Sequence, residues 1–124
     1  MTLNLDIFRC FYILSICGYL YEELEDYENM IKYYEIGVEK NNLEEINRLA
    51  NYYMYQGEYE LMEKYFNIVI NLGCGISMNN YATYFYEYKN DFDTALKYYL
   101  MSIEKENTRS MNNLATIYYK KKDI

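Results

Sequence analysis

Three stretches of this chain spell one phrase at near-constant spacing: DYENMIKYYEIGVEKN from Asp26, EYELMEKYFNIVINLG from Glu58 and DFDTALKYYLMSIEKE from Asp91, offset by 32 and 33 residues. Lys32, Lys64 and Lys97 fall in register, each followed by two aromatic residues. A second phrase precedes each: ILSICGYLYEEL from Ile13, INRLANYYMYQ from Ile46, MNNYATYFYEYK from Met78 and MNNLATIYYKKK from Met111. A period of this length marks a repeat whose units cannot bury their apolar faces alone and must stack on neighbours.

Both phrases are helical. Phe92, Ala95, Leu96, Tyr99 and Ile103 recur with the 3.6-residue period of an amphipathic helix. Tyr59, Met62, Phe66, Val69 and Tyr27, Met30, Tyr34, Val38 read as their counterparts. The joints carry boundary chemistry. Asn42 followed by Glu45 reads as a capping box, Gly57 as a tight turn, Gly73 and Gly75 as helix ends, and Asn90 with Asp91 as the next start. Cys17, Ala50, Ala82 and Ala115 place a small residue in each first helix, where Tyr34, Phe66 and Tyr99 of the second helices can approach closely. These features predict an all-α fold, an α-solenoid of antiparallel helix hairpins with about seven helices. They predict one domain over residues 1–124, with units of roughly 8–41, 42–74 and 75–107 and a closing helix over 108–124.

The net charge of −7 is unevenly spread. From Tyr21 to Glu63 twelve acidic residues face only Lys32, Lys40 and Arg48, a balance of −9 that leaves +2 for the remainder. Such a front half repels phosphate backbones, so no nucleic acid is expected as a partner, and it attracts a basic protein surface. Read plainly, the same charges form a solvated helical face. Cys10 and Cys17 lie seven residues apart, about 10 Å along one helix, too far for a disulfide. With Cys74 they form an odd set without CxxC spacing, which fits a reducing, intracellular and cytoplasmic setting. The apolar stretch Ile7–Leu20 is interrupted by Arg9 and preceded by Asp6, so it reads as a buried helix and not as a membrane span or targeting signal.

Catalytic chemistry finds little purchase. The chain has no histidine, which removes the commonest general base and imidazole ligand. Ser15, Ser77, Ser102 and Ser110 have no base beside them in sequence, and the Gly73-Cys74-Gly75 run reads as a helix joint, not a phosphate loop. Glu22, Glu23, Glu25 and Asp26, or Asp91 and Asp93, crowd helix turns where carboxylates point outward. No enzyme activity, cofactor or metal is therefore expected.

The pattern resembles the tetratricopeptide repeat and its Sel-one-like relatives. Asp91-Phe92-x-x-Ala95, then Tyr99 and Ser102, follow that family's second-helix wording, and M-N-N-L-A-x-x-Y-Y is similar to the Sel-one-like form. Met30 and Met62 depart from the usual alanine, Val69 from the second small residue, and no proline ends a repeat. The wealth of Tyr, Asn, Ile and Lys also looks like repeat proteins of amoeba-infecting giant viruses, which would place the chain in the host cytoplasm. The resemblance implies a non-enzymatic interaction scaffold whose first helices line a concave groove. Carried over by alignment, that groove takes Asn47, Asn51, Asn79, Thr83, Tyr86, Asn112, Thr116 and Tyr119. Such a surface suits an extended peptide or partner protein, a basic one if it uses the acidic flank. The other use of these amides, foremost Asn80 and Asn113, is to hydrogen-bond between repeats. Asn47 and Asn113 stand where the chaperone-tail clamp of this family needs cations, so chaperone tails are not expected as ligands. The competing readings are a single-stranded RNA binder, since helical repeats also read bases, and an inactive fragment of a longer array. The last helix, up to Ile124, either caps the stack or pairs with a second copy as a homodimer.

Overall fold

A computed structural model describes the backbone over residues 2–122 and side chains over residues 13–122. The stretch from Met1 to Tyr12, with Asp6, Arg9 and Cys10, therefore lies outside the described side chains. Among the described residues there are seven helices: α1 (Thr2–Glu23), α2 (Tyr27–Glu39), α3 (Leu43–Gln56), α4 (Tyr59–Asn71), α5 (Gly75–Glu87), α6 (Phe92–Glu104) and α7 (Thr108–Lys122). The class is all-α and of the helical-repeat kind, as the repeat predicts, with connections short enough to hold consecutive helices antiparallel.

Each of the six connections contains one residue in the left-handed region: Glu25, Asn41, Gly57, Gly73, Asn90 and Glu106. They recur about every 16 residues, so the backbone obeys the period more strictly than the side chains do. Only Gly57 and Gly73 fill the position with the residue that meets no Cβ penalty there. Four helix starts share one side-chain cap. Asp26 accepts from the amide of Asn29 at 3.3 Å, Asn42 from Glu45 at 3.4 Å, Asp91 from Thr94 at 3.1 Å and Asn107 from Ser110 at 3.0 Å. The Thr94 hydroxyl and amide together hold the Asp91 carboxyl below its usual range. Two expectations need correction. The Asn42 box is only half formed, because the Glu45 carboxylate turns inward to Ser15 while the Asn42 amide donates to Gly37 O at 2.9 Å. Gly75 opens α5 and ends nothing; its preceding Cys74 stands at the cap position without a side-chain cap.

The chain divides into two compact units, residues 1–65 and 66–124, with the division inside α4. In the first, α1 packs on α2 and α2 on α3. Its fully buried residues include Met30, Tyr34, Ile46, Leu49 and Ala50. Tyr53 stacks on Tyr65 at 5.6 Å between ring centroids, which ties α3 to the start of α4. The small residue beneath Tyr34 is Gly18 and not Cys17: a Cβ at Gly18 would lie 2.5 Å from the Tyr34 ring. Cys17 is only half-buried. The first phrase is thus offset by one residue from the alignment on Ile13. Gly18 to Ala50 then spans 32 residues, matching Asp26 to Glu58. The same bookkeeping makes buried Gly37, not Val38, the counterpart of Val69 and Ser102.

In the second unit α5 packs on α6 and α6 on α7. Ala82, Ala95, Tyr99, Leu114 and Ile117 form one cluster, bordered by Phe85, Phe92 and Leu96. Here the expected pairing of Ala82 with Tyr99 holds, whereas Ala115 is exposed. Phe66, Tyr81, Phe85 and Tyr98 extend the aromatic packing, with centroid separations of 4.8 Å for both Phe66–Tyr81 and Tyr81–Phe85. Offset and edge-on ring pairs of this kind add to what area burial alone supplies.

Candidate functional site

The buried tyrosines carry phenols, and each phenol needs a partner within the core. Tyr34 donates to the Glu22 carboxylate at 2.6 Å. Glu22 also receives Arg48 at 3.1 Å, and Arg48 reaches on to Glu44 at 3.4 Å and lies over the Tyr19 ring at 5.1 Å. Burial, with the Glu22 carboxylate beside it, pushes the Tyr34 phenol far above its ordinary range. Glu22 is thus no member of a solvated acidic run but the hub of a small network joining α1, α2 and α3.

In the second unit Thr83 plays the equivalent part. Its hydroxyl lies 3.0 Å from the Asn79 carbonyl and 2.8 Å from the Tyr99 phenol. Thr83 has one hydroxyl hydrogen and it goes to the carbonyl, so Tyr99 donates. Burial raises the Tyr99 phenol, as it does for Tyr34.

The network on the first unit borders a cleft of about 330 Å³, lined by Tyr27, Arg48, Asn51, Tyr52, Tyr55 and neighbours. Tyr27 and Tyr52 approach at 5.2 Å, while Tyr55 is 75% exposed. Among the described residues, the Asn51 side-chain oxygen is buried and accepts no hydrogen bond. A buried acceptor left without a donor costs about 1–3 kcal/mol.

The structure distributes the eight groove residues unevenly. Asn112, Thr116 and Tyr119 are exposed on α7 at intervals of four and three, hence on one face; Thr116 donates to the Asn112 carbonyl at 2.8 Å. Thr83 and Tyr86 are half-buried on α5. Asn47 and Asn51 are half-buried on α3. Asn79 is buried, and its side-chain oxygen accepts from Ser110 at 2.7 Å and Asn113 at 3.0 Å. The use of amides to bond between repeats, anticipated for Asn113, therefore includes Asn79. Tyr52 and Tyr55 are cleft residues outside the expected groove, although YYMY after an Asn on a first helix is a readable aromatic signal, and Arg48 enters the sequence pattern only as a charge.

Among the described residues no group of three or more His, Cys, Asp or Glu side chains is placed to hold a metal ion. No helix among them is long and apolar enough to cross a membrane.

Two helices per period, a left-handed joint between each pair and polar bonds linking successive hairpins define a helical-repeat protein. Residues 16–39 match the profile of the tetratricopeptide repeat. That segment holds the end of α1, the first joint and all of α2, including the Gly18–Tyr34 contact. A search of curated proteins returned no match to the chain.

Proposed function

We propose that this chain is a non-enzymatic protein-interaction module that binds a peptide in the tyrosine-walled cleft of its first compact unit. Tetratricopeptide repeats generally mediate protein–protein interaction, and residues 16–39 carry that repeat. The observation that carries the proposal is the 330 Å³ cleft walled by Tyr27, Tyr52 and Tyr55, with Arg48 and Asn51 in its lining. A tyrosine-walled cleft gives a peptide side chain a face to stack on, and the lining Arg48 and Asn51 give its backbone polar partners. Asn112, Thr116 and Tyr119 offer a second polar and aromatic strip of the same composition. Asn79 is left out of the surface, since its amide is engaged inside.

Peptides selected from a random display library on the folded chain provide the test. The winning peptide should bind the native protein in calorimetry and lose at least tenfold affinity, about 1.4 kcal/mol, on Asn51→Ala or Tyr55→Ala. No selected binder, or binding indifferent to both substitutions, removes this cleft as the site.

A further inference from the structure

We infer that Phe92, Tyr86 and Glu87 form a receptor for a lysine ammonium presented by a partner peptide, occupied in the free protein by the chain's own Lys121. The inference rests on the reading that a peptide docks on this protein, but it concerns a different place, in the second compact unit. Phe92, the first residue of α6, sits between Tyr86 of α5 and Tyr118 of α7. The ring centroids are 6.4 and 6.0 Å away and the planes are close to perpendicular, at 70° and 84°. Lys121 places its Nζ 3.1 Å from the centre of the Phe92 ring. That is well inside the ~6 Å within which a cation is drawn to an aromatic face.

Around this contact lies a cleft of about 470 Å³ lined by Tyr86, Glu87, Asn90, Phe92 and Lys121. A volume of this order accommodates a ligand side chain and not merely a water. Beside the Phe92 face the lining carries the Glu87 carboxylate and the Asn90 amide, and Lys121 bonds to neither.

Lys121 is a displaceable occupant. It is exposed and stands in the last turn of α7 beside Lys120 and Lys122, where positive charge is favourable whether or not it touches a ring. Releasing it breaks no helix. Because it is tethered, it competes at a high effective concentration, and the protein's apparent affinity for an incoming lysine falls by the fraction of time the ring is covered.

The probe is the tripeptide acetyl-Gly-Lys-Gly-amide, titrated into the full chain by NMR, with the norleucine peptide as the uncharged control. In the free protein the Lys121 ε-methylene protons should be shifted upfield by the Phe92 ring current, and the lysine peptide should relieve that shift. Lys121→Ala should bind the lysine peptide about two- to fivefold more tightly than the native chain, the scale of one exposed cation–π contact. In the Lys121→Ala background, Phe92→Leu should abolish binding and Glu87→Gln, a surface change that leaves the fold intact, should weaken it several-fold. Equal affinity of the native and Lys121→Ala chains, or equal binding of the norleucine peptide, overturns the inference. None of these readouts touches Asn51 or Tyr55, so failure here and failure of the cleft in the first unit are separate results.

Discussion

The side-chain oxygen of Asn79 lies 2.7 Å from the hydroxyl of Ser110, thirty-one residues later in the chain. The bond joins the first helix of one hairpin to the helix that follows it. Ser110 also lies 2.7 Å from Ser102, whose hydroxyl lies 2.7 Å from the Gly75 carbonyl. Two hydroxyl hydrogens serve these three short contacts, so the chain of bonds is shared, and Asn79 anchors one end of it. Asn79→Ala should therefore lower stability by about 1–3 kcal/mol in urea unfolding, because it removes the acceptor of the Asn113 amide and leaves the Ser110 hydroxyl only Ser102. Helix content of the folded variant should be unchanged. A loss below about 0.5 kcal/mol would mean that water replaces Asn79 without cost.

The same three repeat positions in the first unit are occupied by Ser15, Gly37 and Glu45. There the Ser15 hydroxyl donates to the Glu45 carboxylate, and Gly37 lies directly against that side chain. A Cβ on Gly37 would sit 2.6 Å from the Cβ of Glu45. The two units thus solve one packing problem with complementary sizes, a large residue over none in the first and serine over serine in the second. Gly37→Ser should cost about 1–3 kcal/mol as an overpacked contact. Adding Glu45→Ser, which recreates the arrangement at Ser102 and Ser110, should restore at least half of it. Additive losses in the double variant would disprove the equivalence of the two sites; the coupling is read from a double-mutant cycle.

Much of this was open to reading and some was not. The period, the seven helices and the burial of Tyr34, Phe66 and Tyr99 follow from apolar spacing, which the structure keeps. Cys17 and Gly18 are both small, so spacing alone does not separate them; contact with the Tyr34 ring does. Gly37 was passed over for Val38 for the reverse reason: an apolar residue attracts a core assignment that here belongs to a glycine. Among the candidate site residues, Asn112, Thr116 and Tyr119 emerge on one exposed face, while Asn79 turns inward. Spacing gives the direction of an asparagine on its helix but not the identity of the residue opposite it, and Ser110 decides the matter. The Glu22–Tyr34–Arg48 network escaped notice because its members come from three helices and each looks like surface or core when read alone.

Glu106 holds φ at 61° in the joint before α7, at the repeat position that Gly73 fills with φ 88° one period earlier. A residue with a Cβ bears about 1 kcal/mol or more of steric strain in that region. Glu106→Gly should relieve it and raise stability by roughly 0.5–1 kcal/mol, even though glycine gives the unfolded chain more freedom. An exposed glycine substitution that stabilises is unusual, and a lowered midpoint in thermal unfolding would show that the joint is unstrained.

Glu45 gives the chain a specific pH response. Burial, with some help from the neighbouring Glu44 charge, raises its carboxyl above the ordinary carboxylate range, against the lowering effect of the Ser15 hydrogen bond. Arg48 and Glu44 border the same cleft beside Ser15 and Tyr34, so the charged groups facing Glu45 are a tied-up guanidinium and a like charge. The folded state then holds the Glu45 proton more tightly than the unfolded chain. Protonation linkage makes stability fall as pH rises from the unfolded carboxyl pKa, about 4.3, through the raised folded value. The favourable contribution is fully present below that window and lost above it. Glu45→Gln keeps an acceptor for the Ser15 hydroxyl but carries no charge. It should match the native chain at low pH, exceed it in thermal midpoint at pH 7, and show no decline across the window. Parallel pH–stability curves for the two proteins would assign the slope to other carboxylates.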